Sequence, residues 1–188
     1  DSWPFMVWTK LHKAIIQDEK RKEVEEIIKE NVGIDQQSER TGVTALHKAI
    51  QRGNVDLVEC VLKAGAYTDI KNKWGSTPAH WAIKYQTAKT DTKTIIGLLN
   101  AGKANFEATN NEGDTPLDLA KKKKERLQLK ESKVRDDMEE TMALNAQIKR
   151  LNEVIERLQE IHDEEVQRRI QEEENKAKKK EKVRRLYG

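Results

Sequence analysis

The seven residues TALHKAI, from Thr44 to Ile50, decide how this chain is to be read, because the phrase returns along it. It stands as TKLHKAI from Thr9 to Ile15 and as TPAHWAI from Thr77 to Ile83, and a reduced form, TPLDLAK, runs from Thr115 to Lys121. The opening threonines lie 35, 33 and 38 residues apart. A period in the thirties marks a stack of similar supersecondary units rather than one globular core. Ala49 and Ile50 share one face of a short helix, and Leu57, Val58, Val61 and Leu62 give a second helix an i, i+1, i+4, i+5 apolar stripe. One such pair cannot bury both of its faces alone. It stacks on the next pair, and identical interfaces demand identical residues at each of them.

Composition agrees with an elongated stack. Of 188 residues, 37% are charged and 36% are hydrophobic, which leaves little apolar side chain for a single deep core. The net charge of +3 hides an uneven distribution. From Lys121 onward there are 20 Lys/Arg against 16 Asp/Glu, a net +4, while the front of the chain is nearly neutral. The single cysteine, Cys60, excludes an intramolecular disulfide framework and fits a reducing compartment. No stretch approaches the roughly 20 apolar residues that span a bilayer.

The repeated phrase, with the Gly53 turn, the second-helix stripe and the Ala-Gly-Ala exit at 64–66, resembles the ankyrin repeat, whose signature is T-P-L-H-x-A. The second copy fits throughout. The third fits with four residues inserted near 86–89 and one more near Lys103. The first lacks the Gly turn and the Gly-Ala exit, and the fourth keeps only its opening before the run KKKKERL. The resemblance implies an all-α solenoid over 9–120, with repeats starting near Thr9, Thr44, Thr77 and Thr115. The apolar segment 1–8, DSWPFMVW, reads as a cap on the first repeat or as a contact patch.

His12, His47 and His80 recur at one position of the phrase, and their possible roles make different demands. Equivalent residues of stacked repeats lie on the order of 10 Å apart, whereas zinc ligands converge to about 2 Å from the ion, so no metal is expected. General-base work lacks a Ser or Cys partner at readable spacing. A pH sensor would need a feature that the residues do not display. The resemblance implies a structural role, each imidazole joining the threonine three residues earlier to fasten the start of its helix. Asp118 stands at this position in the fourth copy. Cys60, on the buried stripe, reads as a core residue. No phosphate-binding loop, metal cluster or nucleophile–base spacing is present, so neither an enzyme nor a cofactor is expected.

What the resemblance implies about binding is a concave face built from loop tips and the exposed sides of first helices. The matching positions include Arg40, Thr41, Lys71, Lys73, Trp74, Asn111 and Glu112 at the tips, and Arg52 and Tyr85 on the helices. Trp74 stands out, since aromatic and arginine side chains are enriched among interface anchors. Trp81 is expected to be packed.

After Ala120 neither Pro nor Gly occurs until Gly188, and helix formers dominate. Residues 121–188 therefore read as one long charged helix, reaching roughly 100 Å from Leu117 to Leu186 if unbroken. Leu144, Ile148, Leu151, Ile155 and Leu158 form a heptad seam, but Val154, Ile161 and Val166 widen it beyond what a dimer needs. The helix is thus a coiled coil or a strut docked on a larger surface. Its end is basic, with Lys178, Lys179, Lys180, Arg184 and Arg185 prominent. Nucleic acid is disfavoured as its partner, because Tyr187 is the one aromatic nearby. The expectation is a cytoplasmic, non-catalytic adaptor. Its stack would grip one protein, and its helix would tie it to another or to a cytoskeletal or ciliary assembly. A regulatory enzyme subunit and a nucleic-acid binder are the alternatives.

Overall fold

The structure, a computed structural model, describes residues 10–17, 21–30, 33–87, 89–134 and 137–187, with only the backbone of Arg184, Leu186 and Tyr187. The expected N-terminal cap over 1–8, and Thr9, lie outside these residues. Eight helices and no strand are found among the described residues: α1 Lys10–Ile16, α2 Arg21–Lys29, α3 Ala45–Arg52, α4 Val55–Lys63, α5 Pro78–Lys84, α6 Thr92–Ala101, α7 Pro116–Glu131 and α8 Met138–Tyr187.

The short helices start where their sequences supply a cap. Thr44 and Thr115 cap α3 and α7, each side chain accepting the backbone N–H three residues on, and Thr77 holds the same extended conformation before α5. Pro78 and Pro116 open α5 and α7, where a missing N–H costs nothing. Asn54 and Asp91 cap α4 and α6 in the same way. Gly53 ends α3 at φ 68°, a left-handed turn that glycine enters without strain.

Helices α1, α3, α5 and α7 lie side by side as an inner layer, and α2, α4 and α6 form an outer layer behind them. Between the layers Leu11, Ile15, Leu46, Ile50, Leu57, Ile83, Ile95, Ile96 and Leu99 are fully buried. Cys60 is buried among them, and burial pushes its thiol pKa up. The inserted residues expected in the third copy are in place. The start of α6 lies 14 residues after that of α5, against 10 from α3 to α4, and α6 has ten residues where α4 has nine, so the left-handed exit position falls on Lys103 (φ 62°) and not on Gly102.

The tail departs from the expected single strut. Helix α7 stops at Glu131, the chain reverses, and α8 returns along α7 and α6. Neither Gly nor Pro makes this break. Ser132 turns its hydroxyl back onto the carbonyl of Leu129, and Asp137 accepts the N–H of Glu140 to cap α8. The reversal is favoured because it buries the wide stripe. Leu144, Ile148, Leu151, Val154, Ile155, Leu158 and Ile161 are all at least nine-tenths buried, most of them joining the core of the stack. The heptad seam of 121–188 is therefore occupied by the chain's own α6 and α7. Helix α8 stands where an outer helix of the fourth repeat belongs, and it closes the last repeat. From Asp163 onward its side chains are almost all exposed.

Candidate protein-binding face

The loop tips are shaped by asparagines. Asn72 Oδ1 accepts the N–H groups of Trp74 and Ser76 at 3.0 and 3.1 Å, and Asn110 Oδ1 accepts those of Glu112 and Asp114 at 2.9 and 3.0 Å. Neighbouring tips are then stitched together, since Lys73 N–H donates to Thr41 O at 3.0 Å and Asn111 N–H donates to Trp74 O at 3.1 Å. That approach leaves no room for side chains at Gly42 and Gly75. A Cβ on Gly75, at φ 70°, would collide with the Asn111 side chain and come within 2.7 Å of its backbone nitrogen.

The histidines work underneath the tips. In α3, His47 Nδ1 accepts the Thr44 N–H (3.3 Å) and pairs with its hydroxyl (2.8 Å), while Nε2 donates to Ser76 O at 3.1 Å. His80 repeats the pattern with Thr77 and donates to Asp114 O at 2.8 Å, and His12 Nε2 lies 3.0 Å from Val43 O. Each receiving carbonyl belongs to the residue just before the next repeat's threonine. The three imidazoles thus form a ladder in which each ring reaches the following repeat, and His47 and His80 also close their own caps. Burial drives their pKa values down, that of His47 to about 4, so the rings stay neutral at pH 7. In the fourth repeat Asp118 closes the cap by accepting from Thr115, and a carboxylate has no proton to pass onward.

Trp74, 49% exposed, lies across the face with its ring stacked on Trp81 at 6.0 Å and 28°. Trp81 is buried as expected, and it rests edge-on to His47 and against Tyr85, 4.9 Å away. Above them the Lys84 ammonium stands 5.4, 5.0 and 5.8 Å from the rings of Trp74, Trp81 and Tyr85. The structure therefore brings Trp74 and half-buried Tyr85 into one cluster. Arg40, Lys73, Asn111, Glu112 and Arg52 are exposed around it. Thr41 is half-buried and bonded to Ser38, and Lys71 Nζ donates to Thr109 O at 2.7 Å. The basic tail residues Lys178, Lys179, Lys180 and Arg185 are exposed far along α8, and the side chain of Arg184 is outside the described residues.

Sequence reasoning missed Lys123. Its ammonium is drawn in to the end of α5, donating to the carbonyls of Ile83, Lys84 and Gln86 at 2.8, 3.2 and 2.6 Å, and burial lowers its pKa to about 8. Inside the run KKKK nothing distinguishes it from its neighbours except its place on the inner side of α7.

The family model for ankyrin repeats (3 copies) matches residues 11–104, half of the chain. The chain belongs to the ankyrin-repeat family. Ankyrin repeats are protein-interaction modules. The chain is 40% identical over 101 residues to an ankyrin repeat protein of fowlpox virus (strain NVSL), a match covering 52% of this chain and 28% of that one. It is 34% identical over 79 residues to human protein phosphatase 1 regulatory subunit 27, covering 42% of this chain and 48% of that one. The chain thus spans less than half the length of the curated relatives it matches. Among solved structures, the ankyrin repeat domain of Bcl-3 superposes with a TM-score of 0.53 at 22% identity, over 60% of this chain and 46% of that one, a likeness of fold.

Proposed function

We propose that the protein is a non-catalytic adaptor in which the ankyrin stack grips one protein on the face around Trp74 and the free half of α8 holds a second. The observation that carries this reading is the state of Trp74. It is a large apolar ring left half exposed, yet held in place by Trp81 and Lys84, and a rigid aromatic anchor binds at a low entropic cost. The other half of the reading rests on α8. Its first half is used up in closing the stack, while the rest, from Asp163, projects for roughly 35 Å with a basic end. Such an arm suits a second protein or a polymeric assembly, and a cytoskeletal or ciliary lattice in the cytoplasm is the setting we favour.

Lysines mark both surfaces, so amine crosslinking of the native complex followed by mass spectrometry tests the proposal. Lys73 and Lys84 should link to one protein, and Lys178 to Lys182 to another. Links confined to the outer-helix lysines Lys29 and Lys63 would sink it. A second reading, a regulatory subunit of an enzyme, is favoured by the likeness to the phosphatase regulatory subunit. It requires a 1:1 complex in which the partner's activity changes.

A further inference from the structure

Ion pairing divides the cations of this molecule, though not by layer, since Lys10 and Lys122 of the inner helices pair with Glu30 and Asp114. On the outer layer Arg21, Lys29 and Lys63 each pair with a carboxylate, Glu25, Glu59 or Glu26. On the concave side Arg40, Arg52, Lys73 and Lys84 make no ion pair among the described residues. The repeat offset of 33 matches Arg40 with Lys73 at the tips, whereas on the inner helices Arg52 matches Tyr85 and Lys84 matches Gln51. Lys84 is the most defined of them, an ammonium fixed over three aromatic rings with no acid beside it. Exposed acids near these cations are few, Glu39 and Glu112.

We infer that the face around Trp74 takes an extended acidic segment of a partner protein, with one aromatic or aliphatic side chain against Trp74 and carboxylates on Lys84, Lys73 and Arg40. This rests on the reading of that face as the protein-binding surface. Extended geometry follows from spacing. Stacked repeats place the equivalent tip cations Arg40 and Lys73 about 10 Å apart, which an extended chain crosses in about three residues at roughly 3.3 Å each. Acids should therefore recur about every third position of the segment. Carboxylates also answer the local need, because a partly desolvated cation without a counter-charge gains most from a charge-assisted hydrogen bond. Single-stranded nucleic acid is the less suitable occupant, since it needs a row of stacking rings and among the described residues of this face Trp74 is the one exposed ring.

A random-peptide display library selected on the full chain tests this, with Trp74→Ala as counter-target and a fluorescent oligouridylate as a second probe. The expected result is enrichment of peptides with Asp or Glu about every third residue flanking one large apolar residue. Their affinity should drop at least tenfold with Trp74→Ala, and as much with Lys84→Glu, while far-UV circular dichroism is unchanged. Should Trp74→Ala fold poorly, Lys84→Gln alone must still weaken binding severalfold. Enriched peptides that are neutral or basic yet depend on Trp74 would overturn the acidic assignment and leave the face as a binding surface. Peptides indifferent to Trp74, or no enrichment at all, would overturn both. Oligouridylate binding that is lost with Lys84→Glu, without acidic peptides, would transfer the face to nucleic acid and end the proposal.

Discussion

His47 donates from Nε2 to the carbonyl of Ser76 at 3.1 Å, and the same ring closes the cap at Thr44. One fully buried imidazole therefore belongs to two repeats at once. Replacing it with Ala leaves the Thr44 N–H without its partner, leaves the Ser76 carbonyl with the Asn72 N–H alone, and opens a cavity. The expected cost is about 3 kcal/mol, read as a lower urea midpoint by circular dichroism. A midpoint within error of the unmodified protein would mean that the ladder holds nothing together.

The same ring sets a pH dependence. Its folded pKa of about 4 lies below the unfolded value of 6.5, so the unfolded chain binds a proton that the folded chain refuses. Stability is complete above about pH 6.5 and falls as pH drops towards 4, by about 3 kcal/mol from His47 alone, with His12 and His80 acting in the same direction. Urea titrations between pH 7 and 4.5 should show this slope, and His47→Gln should flatten part of it.

Gly75 and Gly113 separate backbone strain from crowding. Both have positive φ, but a Cβ at Gly113 meets nothing, whereas at Gly75 it strikes Asn111. Gly113→Ala should cost about 1 kcal/mol and Gly75→Ala at least about 2 kcal/mol. Equal losses would show that the tips are not tightly stitched.

Lys103 carries the opposite strain, a long side chain in the left-handed region. Lys103→Gly should raise stability by about 0.5–1 kcal/mol, seen as a melting temperature a few degrees higher.

The seam offers a stability test of the reversed tail. Leu151 is fully buried and Ile170 is 45% exposed on the same helix. Leu151→Ala should cost about 3 kcal/mol in the unfolding of the stack, and Ile170→Ala less than about 0.5 kcal/mol. If Leu151→Ala proved silent, α8 would not be the cap of the last repeat.

The stack was readable from the sequence because the phrase itself is the interface, and Thr44, Thr77 and Thr115 all stand at helix starts as its recurrence implies. The binding of His47 and His80 to their own threonines followed from the spacing. The bond of the second nitrogen to a carbonyl about thirty residues onward did not, since it depends on how closely the repeats approach. The reversal at 132–137 was hidden for another reason. Runs of helix formers predict helix, and Ser132 and Asp137 are weak signals beside an absent Gly or Pro. Only the apolar Val154, Ile161 and Val166, outside the heptad, pointed to a surface wider than a second helix, and of these Val166 is left 36% exposed, past the buried seam. At the face, Trp74 was legible as a tip residue. Its fixed stacking on Trp81 was not, because it arises from a fold-back between loop and helix that no spacing encodes.

Helix α8 leaves the stack by its far end while its near half is laid along α6 and α7. A pull on the exposed arm, directed along the helix axis, would load the buried seam in shear and strain all seven of its apolar residues together. Contacts loaded in parallel resist far more than contacts peeled one by one. A pull of that kind would therefore pass tension into the repeats before the seam let go.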